Sequence, residues 1–296
     1  MRSFVAPGKV VLVGEYAVVD GAPAVVAAID RGVRVIVDPG GDDVVVEAPG
    51  DGSFARAALG AAQAPPGSYR FRDQRPTDTD GKAGFGGSAA AVVAAVTAGL
   101  ALRGVTADPA SRFALADAVH RAVQGAGSGI DVAASCWGGT LRFRRGDPPE
   151  VRPLAPVADR LVIVWSGASA KTGPRLQAYL AAAGRPEFVA ESTQIVDRFE
   201  QDPIAALREA TALLAAFTTA AGIDWWTPAH ARIAAHAAAV GGAAKPSGAG
   251  GGDCAVAILP DPDAARSFAD RCARDGLPPI AACLAPAAAE EPDVDP

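Results

Sequence analysis

Short apolar runs open the chain. Val10–Val13, Ala24–Ile29 and Val33–Val37 are continuous or alternating in hydrophobic character, which is the pattern of buried or half-buried strands. Asp20-Gly21 and Pro39-Gly40-Gly41 supply turns around them, so residues 3–48 predict a β-rich opening. Gly50 to Lys82 is poorly patterned and rich in Pro, Gly and Asp; it predicts mostly loop, with one short helix near Phe54–Ala62. From Gly86 to Leu102 small and apolar residues run without a breaker before Gly99. That predicts a buried helix beginning at a glycine loop. Asp108 as N-cap and Pro109 at the first helical position predict a second helix to about Val123. A short turn of chain and then a hairpin-like segment, Thr140–Arg144, follow the glycines at 125–129.

Gly146-Asp147-Pro148-Pro149 is the expected domain boundary, separating residues 1–150 from 151–285. The second part predicts a strand at Leu161–Trp165 and helical stretches near 172–183, 186–200, 203–221 and 227–239. A glycine loop over 241–252, a strand at Ala255–Leu259 and a helix over 262–274 follow. Residues 286–296 are Ala, Pro, Glu and Asp and predict a frayed, disordered tail. The whole predicts an α+β protein without solenoid repeats.

Composition narrows the function classes. The 296 residues carry 27 Lys plus Arg against 33 Asp plus Glu, a formal net charge of −6. No block of like charges appears, which excludes a nucleic-acid coat or a polybasic membrane binder. No run approaches the ~20 apolar residues of a membrane span, and Met1–Gly8 reaches Pro and Gly too soon for a signal-peptide core. Cys136, Cys254, Cys272 and Cys283 form no C-x-x-C pair. They are expected to be plain core thiols in a reducing cytoplasm.

Only four cations are lysine, Lys9, Lys82, Lys171 and Lys245, against 23 arginines. Where Arg has displaced Lys so widely, a remaining lysine is a candidate for work that needs a compact ammonium. Three of the four adjoin glycine-rich segments.

Four segments carry candidate chemistry. In Ala6-Pro7-Gly8-Lys9 a turn sets Lys9 beside a strand that ends at Glu15-Tyr16; the lysine is either an anion holder or a surface turn residue. In Lys82-Ala83-Gly84-Phe85-Gly86-Gly87-Ser88-Ala89 three glycines and a helix start make an anion site suited to phosphates, with a hydroxyl at Ser88 and charge at Lys82. No G-K-[ST] closes it, so it is not a P-loop, and no strand precedes it as a dinucleotide fingerprint requires. In the segment from His120 to Asp131, glycines bring Ser128 and Asp131 onto a tight loop. Asp131 either orients a substrate group or caps its own turn, and His120 is equally compatible with a helix surface. The run from Lys245 to Cys254 forms a second anion-binding turn ahead of a strand.

In this order the four segments resemble the GHMP kinases, the superfamily of galactokinase, homoserine kinase, mevalonate kinase and phosphomevalonate kinase. The motifs stand as APGKVVLVGEY, GFGGSAAAVVAAV and KPSGAGGGDCAVAI, and the likeness runs from about residue 4 to 285. GEYAVV, the lysine two residues before the glycine loop, and HRAVQGAGSGIDVAAS look most like the phosphomevalonate kinase branch. Mevalonate kinases typically place a metal-binding glutamate where His120 stands and a histidine where Tyr16 stands. The loop departs from the usual G-L-G-S-S-A in having Gly87 for the first serine, which removes a hydroxyl and keeps the backbone donors.

The resemblance implies two lobes, a ribosomal-S5-like N-terminal ATP-binding lobe and a ferredoxin-like C-terminal lobe. It implies an ATP phosphate loop of Gly84, Gly86, Gly87, Ser88 and Ala89, with Ser88 also holding Mg²⁺. Lys9 and Asp131 match catalytic positions, and Lys82, Ser128 and Ser247 match positions that touch a phosphorylated small-molecule substrate. The implied reaction passes the γ-phosphoryl of ATP to (R)-5-phosphomevalonate, in a cytoplasmic monomer or homodimer. Another GHMP kinase acting on mevalonate or a sugar, a diphosphomevalonate decarboxylase, and a non-catalytic nucleotide binder are the rival readings.

Overall fold

The computed structural model describes residues 1–74, 83–125 and 127–291. Lys82 therefore lies outside the described residues. Strands β1 (Arg2–Val13), β2 (Ala24–Pro39), β3 (Val44–Glu47), β4 (Gly67–Asp73), β5 (Thr140–Arg144) and β6 (Glu150–Leu154) build a first sheet. Strands β7 (Leu161–Trp165), β8 (Ala243–Pro246), β9 (Cys254–Ile258) and β10 (Pro279–Ile280) build a second, while β11 (Ala289–Glu291) returns to the first. Helices α1 (Ser53–Ala61), α2 (Gly87–Leu102), α3 (Pro109–Gln124) and α4 (Ile130–Trp137) belong to the first lobe. Helices α5 (Thr172–Ala181), α6 (Arg185–Arg198), α7 (Pro203–Ala220), α8 (Pro228–Ala238) and α9 (Pro262–Arg274) follow in the second. The α+β architecture with two sheets is as the sequence predicts.

The apolar runs are continuous because β1 and β2 are buried on both faces. Val11, Val26 and Ala28 point into a core shared with α2 and α4. Their neighbours Val10, Leu12, Ala27 and Ile29 point the other way, into a core with Ile163, Val256 and Ile258 of the second sheet and Phe199 and Leu207 beyond it. This second core joins the lobes and sets β1 firmly between them. The second sheet is antiparallel in the order β10-β7-β9-β8. Its other face packs on α8 and α9 through Ile233, Ala237, Phe268 and Cys272. Helix α2 is apolar nearly all round and buried from Ala89 to Gly99 apart from Ala91 and Thr97, so it runs through the first lobe as a fixed axis.

Several expectations are corrected. The runs Ala24–Ile29 and Val33–Val37 merge into β2, and Val10–Val13 is the end of β1, which runs on through Ala6–Lys9 where a turn was expected. Gly50–Lys82 was expected to be mostly loop, yet it holds β4, where Tyr69 and Phe71 turn inward while Arg70 and Arg72 stay at the surface. Helix α4 arises where only a turn was expected. The first sheet runs past the Gly146–Pro149 break, because β6 pairs with β5 from Arg144↔Glu150 to Thr140↔Leu154. The tail expected to fray from 286 instead pairs Ala289–Glu291 with Val5–Ser3 of β1, held by the Arg2–Glu290 ion pair at 2.6 Å; residues 292–296 lie outside the described residues. Three cysteines are buried as expected, but Cys283 is exposed. Burial pushes the thiols of Cys136, Cys254 and Cys272 up to about 12. No helix among the described residues is long and apolar enough to cross a membrane.

Candidate active site

The glycine loop enters α2 through two left-handed glycines, Gly84 at φ 75° and Gly86 at φ 71°. A Cβ on Gly86 would lie 3.2 Å from Lys9 Cε and 3.3 Å from Asp131 Oδ2. Glycine is therefore needed both for the turn and for the close approach of loop to side chains. Its N-cap is Gly86, and among the described residues no side chain caps α2, so its first-turn N–H groups are open to a ligand or water. Gly87 and Ser88 line the cavity in front of the helix. Ala89 instead packs into the hydrophobic core, which leaves only its backbone for any role at the loop.

Lys9 leaves β1 and points into this loop. Its backbone N–H donates to Phe85 O at 3.0 Å, and its ammonium donates to Gly84 O at 3.1 Å. Asp131 Oδ1 lies 3.5 Å from the same ammonium. Asp131 stands in the first turn of α4, whose start is a left-handed Gly129. One turn later Ser135 Oγ donates to Pro7 O at 2.7 Å and fastens α4 to the middle of β1. The lysine and aspartate proposed from sequence are thus brought together.

The second lobe closes the site with its own glycine run. Ser247 Oγ accepts the Val11 N–H at 2.8 Å, so this hydroxyl holds β1 while lining the cavity. Tyr16 is the centre of a γ-turn with φ 61° and ψ −56°, closed by Ala17 N–H donating to Glu15 O at 2.7 Å. This positive-φ turn is rare and strained. It sends the Tyr16 hydroxyl to donate to Ala249 O at 2.7 Å, and burial pushes that phenol up, which keeps it protonated. Glu15 is directed to Lys245, with which it forms a buried ion pair. Burial pushes the Lys245 amine down against the opposing pull of Glu15. Lys245 therefore fastens the lobes rather than offering its charge to a ligand, unlike the anion-binding role expected of its turn.

Two cavities meet at these residues. One of about 590 Å³ runs from the glycine loop past Asp73 and Phe71 to the Ala48–Phe54 segment. A smaller one of about 160 Å³ is lined by Glu15, Tyr16, His120, Ser128 and Leu176. Lys9, Asp131, Thr172 and Gly248 line both. Ser128 Oγ accepts from Ile130 N–H at 3.4 Å. His120 is buried, not on a helix surface: Ser88 Oγ lies 3.1 Å from its Nε2, and burial lowers its pKa while Asp131 and Asp117 oppose. A third cavity, about 760 Å³ between α7 and α8 beside Trp225 and Trp226, contains none of these residues.

The sequence reading missed the Ala48–Phe54 wall, Thr172 at the start of α5, and the Ser88–His120 contact. It placed Asp253 at the end of the second anion-binding turn but gave it no role at the site; its Oδ1 accepts the Ala170 N–H at 3.0 Å. An aspartate closing a glycine run was the one available signal for Asp253.

Comparison with known proteins gives the same outline. The family model for the GHMP kinases N terminal domain matches residues 76–139, and that for the GHMP kinases C terminal matches 226–276. The chain is 30% identical to the phosphomevalonate kinase of Streptomyces sp. (strain CL190), covering 89% of this chain and 91% of the relative. It is 27% identical to the mevalonate kinase of Pyrococcus horikoshii, covering 86% and 88%. The fold matches Streptococcus pneumoniae phosphomevalonate kinase in complex with phosphomevalonate and AMPPNP, with a TM-score of 0.82 at 20% identity over 96% of this chain and all of that one. With its glycine loop, its lysine and aspartate and both lobes in place, the chain belongs to the GHMP kinases.

Proposed function

We propose that the chain transfers the γ-phosphoryl group of ATP to the phosphate of (R)-5-phosphomevalonate, yielding the 5-diphosphate and ADP. The observation that carries this reading is Lys9, fixed where the two cavities meet and lining both. Phosphoryl transfer needs positioning and charge neutralisation more than covalent help, and an immobile ammonium supplies both. A phosphate acceptor is already ionised, so it needs no strong general base. Asp131, 3.5 Å from the ammonium, then holds Lys9 in place.

The larger cavity accommodates the nucleotide, with phosphates at Gly84, Gly86, Gly87 and Ser88 and the nucleoside along Ala48–Phe54 and Phe71. The smaller one, with Ser128, takes the acceptor. Lys82 adds a cation two residues before the loop, and Ser247 holds the wall between the lobes. The residues present fit a Mg²⁺ ion that arrives on the nucleotide. Among the described residues no cluster of His, Cys, Asp and Glu could hold a metal by itself, and Mg²⁺ commonly rests on substrate phosphates and waters with few protein ligands. Ser88 would be its protein contact, and the ion would neutralise charge on the β- and γ-phosphates.

Mevalonate is the alternative acceptor, favoured by the mevalonate kinase relative and by an Asp131 placed where it could orient a hydroxyl. ADP release against mevalonate, phosphomevalonate, diphosphomevalonate, homoserine and galactose separates the readings. Phosphomevalonate is expected to give the highest kcat/KM. Preference for mevalonate would leave only the family assignment, and no turnover with any acceptor would favour a nucleotide-binding relative.

A further inference from the structure

The contact between Ser88 and His120 joins two walls of the site. Ser88 opens α2 in the larger cavity, and His120, from α3, lines the smaller one. A serine hydroxyl has one proton to donate and two lone pairs with which to accept, so its direction decides what it can hold. Donors are already abundant at the mouth of the loop, in the uncapped first-turn N–H groups of α2 and the Lys9 ammonium. A cation carried on nucleotide phosphates needs the opposite, an oxygen lone pair turned outward. His120 is placed to arrange this. The residue is 6% exposed and its ring packs on Phe54 with centroids 5.3 Å apart, while its Nε2 stands 3.1 Å from Ser88 Oγ.

We infer that His120 is a positioning residue whose Nε2 accepts the Ser88 hydroxyl proton and so turns the Ser88 lone pairs towards the metal borne by the nucleotide. The inference rests on the kinase reading above and deepens it. His120 acts through Ser88 and is not itself a ligand. Outer partners of this kind typically change metal affinity by about 10- to 100-fold.

The test is calorimetric titration of ATP in the absence of any acceptor, once in EDTA and once with Mg²⁺. It compares the wild type with Ser88→Ala, His120→Ala, His120→Gln and the Ser88→Ala/His120→Ala double variant. His120→Ala is expected to bind metal-free ATP within about twofold of wild type, while its gain in affinity on adding Mg²⁺ shrinks by about tenfold. His120→Gln, whose side-chain carbonyl can reach the place of Nε2, should recover most of that gain. The double variant should lose no more than Ser88→Ala alone. Equal losses with and without Mg²⁺, additive losses in the double variant, or a folded Gln variant without recovery would each overturn the inference. If His120→Ala fails to fold by circular dichroism, the Gln variant and Ser88→Ala carry the comparison. A wild-type chain that binds ATP in neither buffer overturns the kinase reading itself.

Discussion

The ammonium of Lys9 sits 3.5 Å from the carboxylate of Asp131 and 3.1 Å from the carbonyl of Gly84. The two side chains come from β1 and α4, which Ser135 ties together through Pro7. Their separation is thus set by backbone, not by two mobile side chains finding each other. A charge held this way needs little reorganisation when two anions approach.

Asp131→Asn keeps the shape and removes the charge that steadies Lys9. Because the pair is expected to act mainly in the transition state, kcat should fall by about 100-fold, or ~2.7 kcal/mol, while KM for both substrates changes by only a few-fold. Steady-state kinetics decide this. Near-normal turnover would reduce Asp131 to a turn-former.

Lys82→Met tests the acceptor charge. A phosphomonoester carries close to two negative charges at neutral pH, and it must lie beside the incoming γ-phosphate. A charged hydrogen bond is worth ~1.5–3 kcal/mol, so KM for phosphomevalonate should rise by about 10- to 100-fold. ATP affinity should change less. Collapse of ATP affinity alone would assign Lys82 to the nucleotide.

Lys245→Met should strand the buried Glu15 carboxylate. Breaking one side of a buried pair typically costs ~3–5 kcal/mol, and here both side chains are almost wholly inaccessible. Denaturant unfolding should show the loss, and Lys245→Met with Glu15→Gln should regain a large part of it. Retained stability in the single variant would show that the pair is not what fastens the lobes.

Acid sensitivity should follow from His230. Its ring is buried in α8, with Nδ1 2.9 Å from Thr227 Oγ1, and burial lowers its pKa to about 4. Between about pH 6.5 and 4 the unfolded chain binds a proton that the folded chain refuses. Its contribution to stability is therefore complete above pH 6.5 and is lost as pH falls towards 4. Unfolding free energy should drop across that window by an amount on the order of 3 kcal/mol. His230→Gln should flatten the slope; an unchanged slope would contradict the assignment.

Elements with local boundary chemistry were legible in the sequence. Helix α3 begins at Asp108, whose side chain accepts from Ser111 N–H, and α9 begins at Asp261, which caps Ala264; both signals lie within four residues. Helix α4 was not legible, since it is eight residues long, starts after a glycine and is apolar on most sides. Strand β11 was hidden because its three residues are stabilised by pairing with a strand at the other end of the chain. The same division holds at the site. The glycine loop and Lys9 announce themselves, since binding phosphate is largely a local backbone property. The Glu15–Lys245 pair spans 230 positions and the Ser88–His120 contact 32, so only the fold brings them together.

Phosphorus NMR of the product of ATP and phosphomevalonate tests the central claim most directly. Transfer to the acceptor phosphate forms a new P–O–P bond and should yield two mutually coupled phosphorus signals from the acceptor, growing in step with ADP. A product whose acceptor carries only isolated phosphomonoester signals, or ADP formed alongside free phosphate alone, would contradict the assignment.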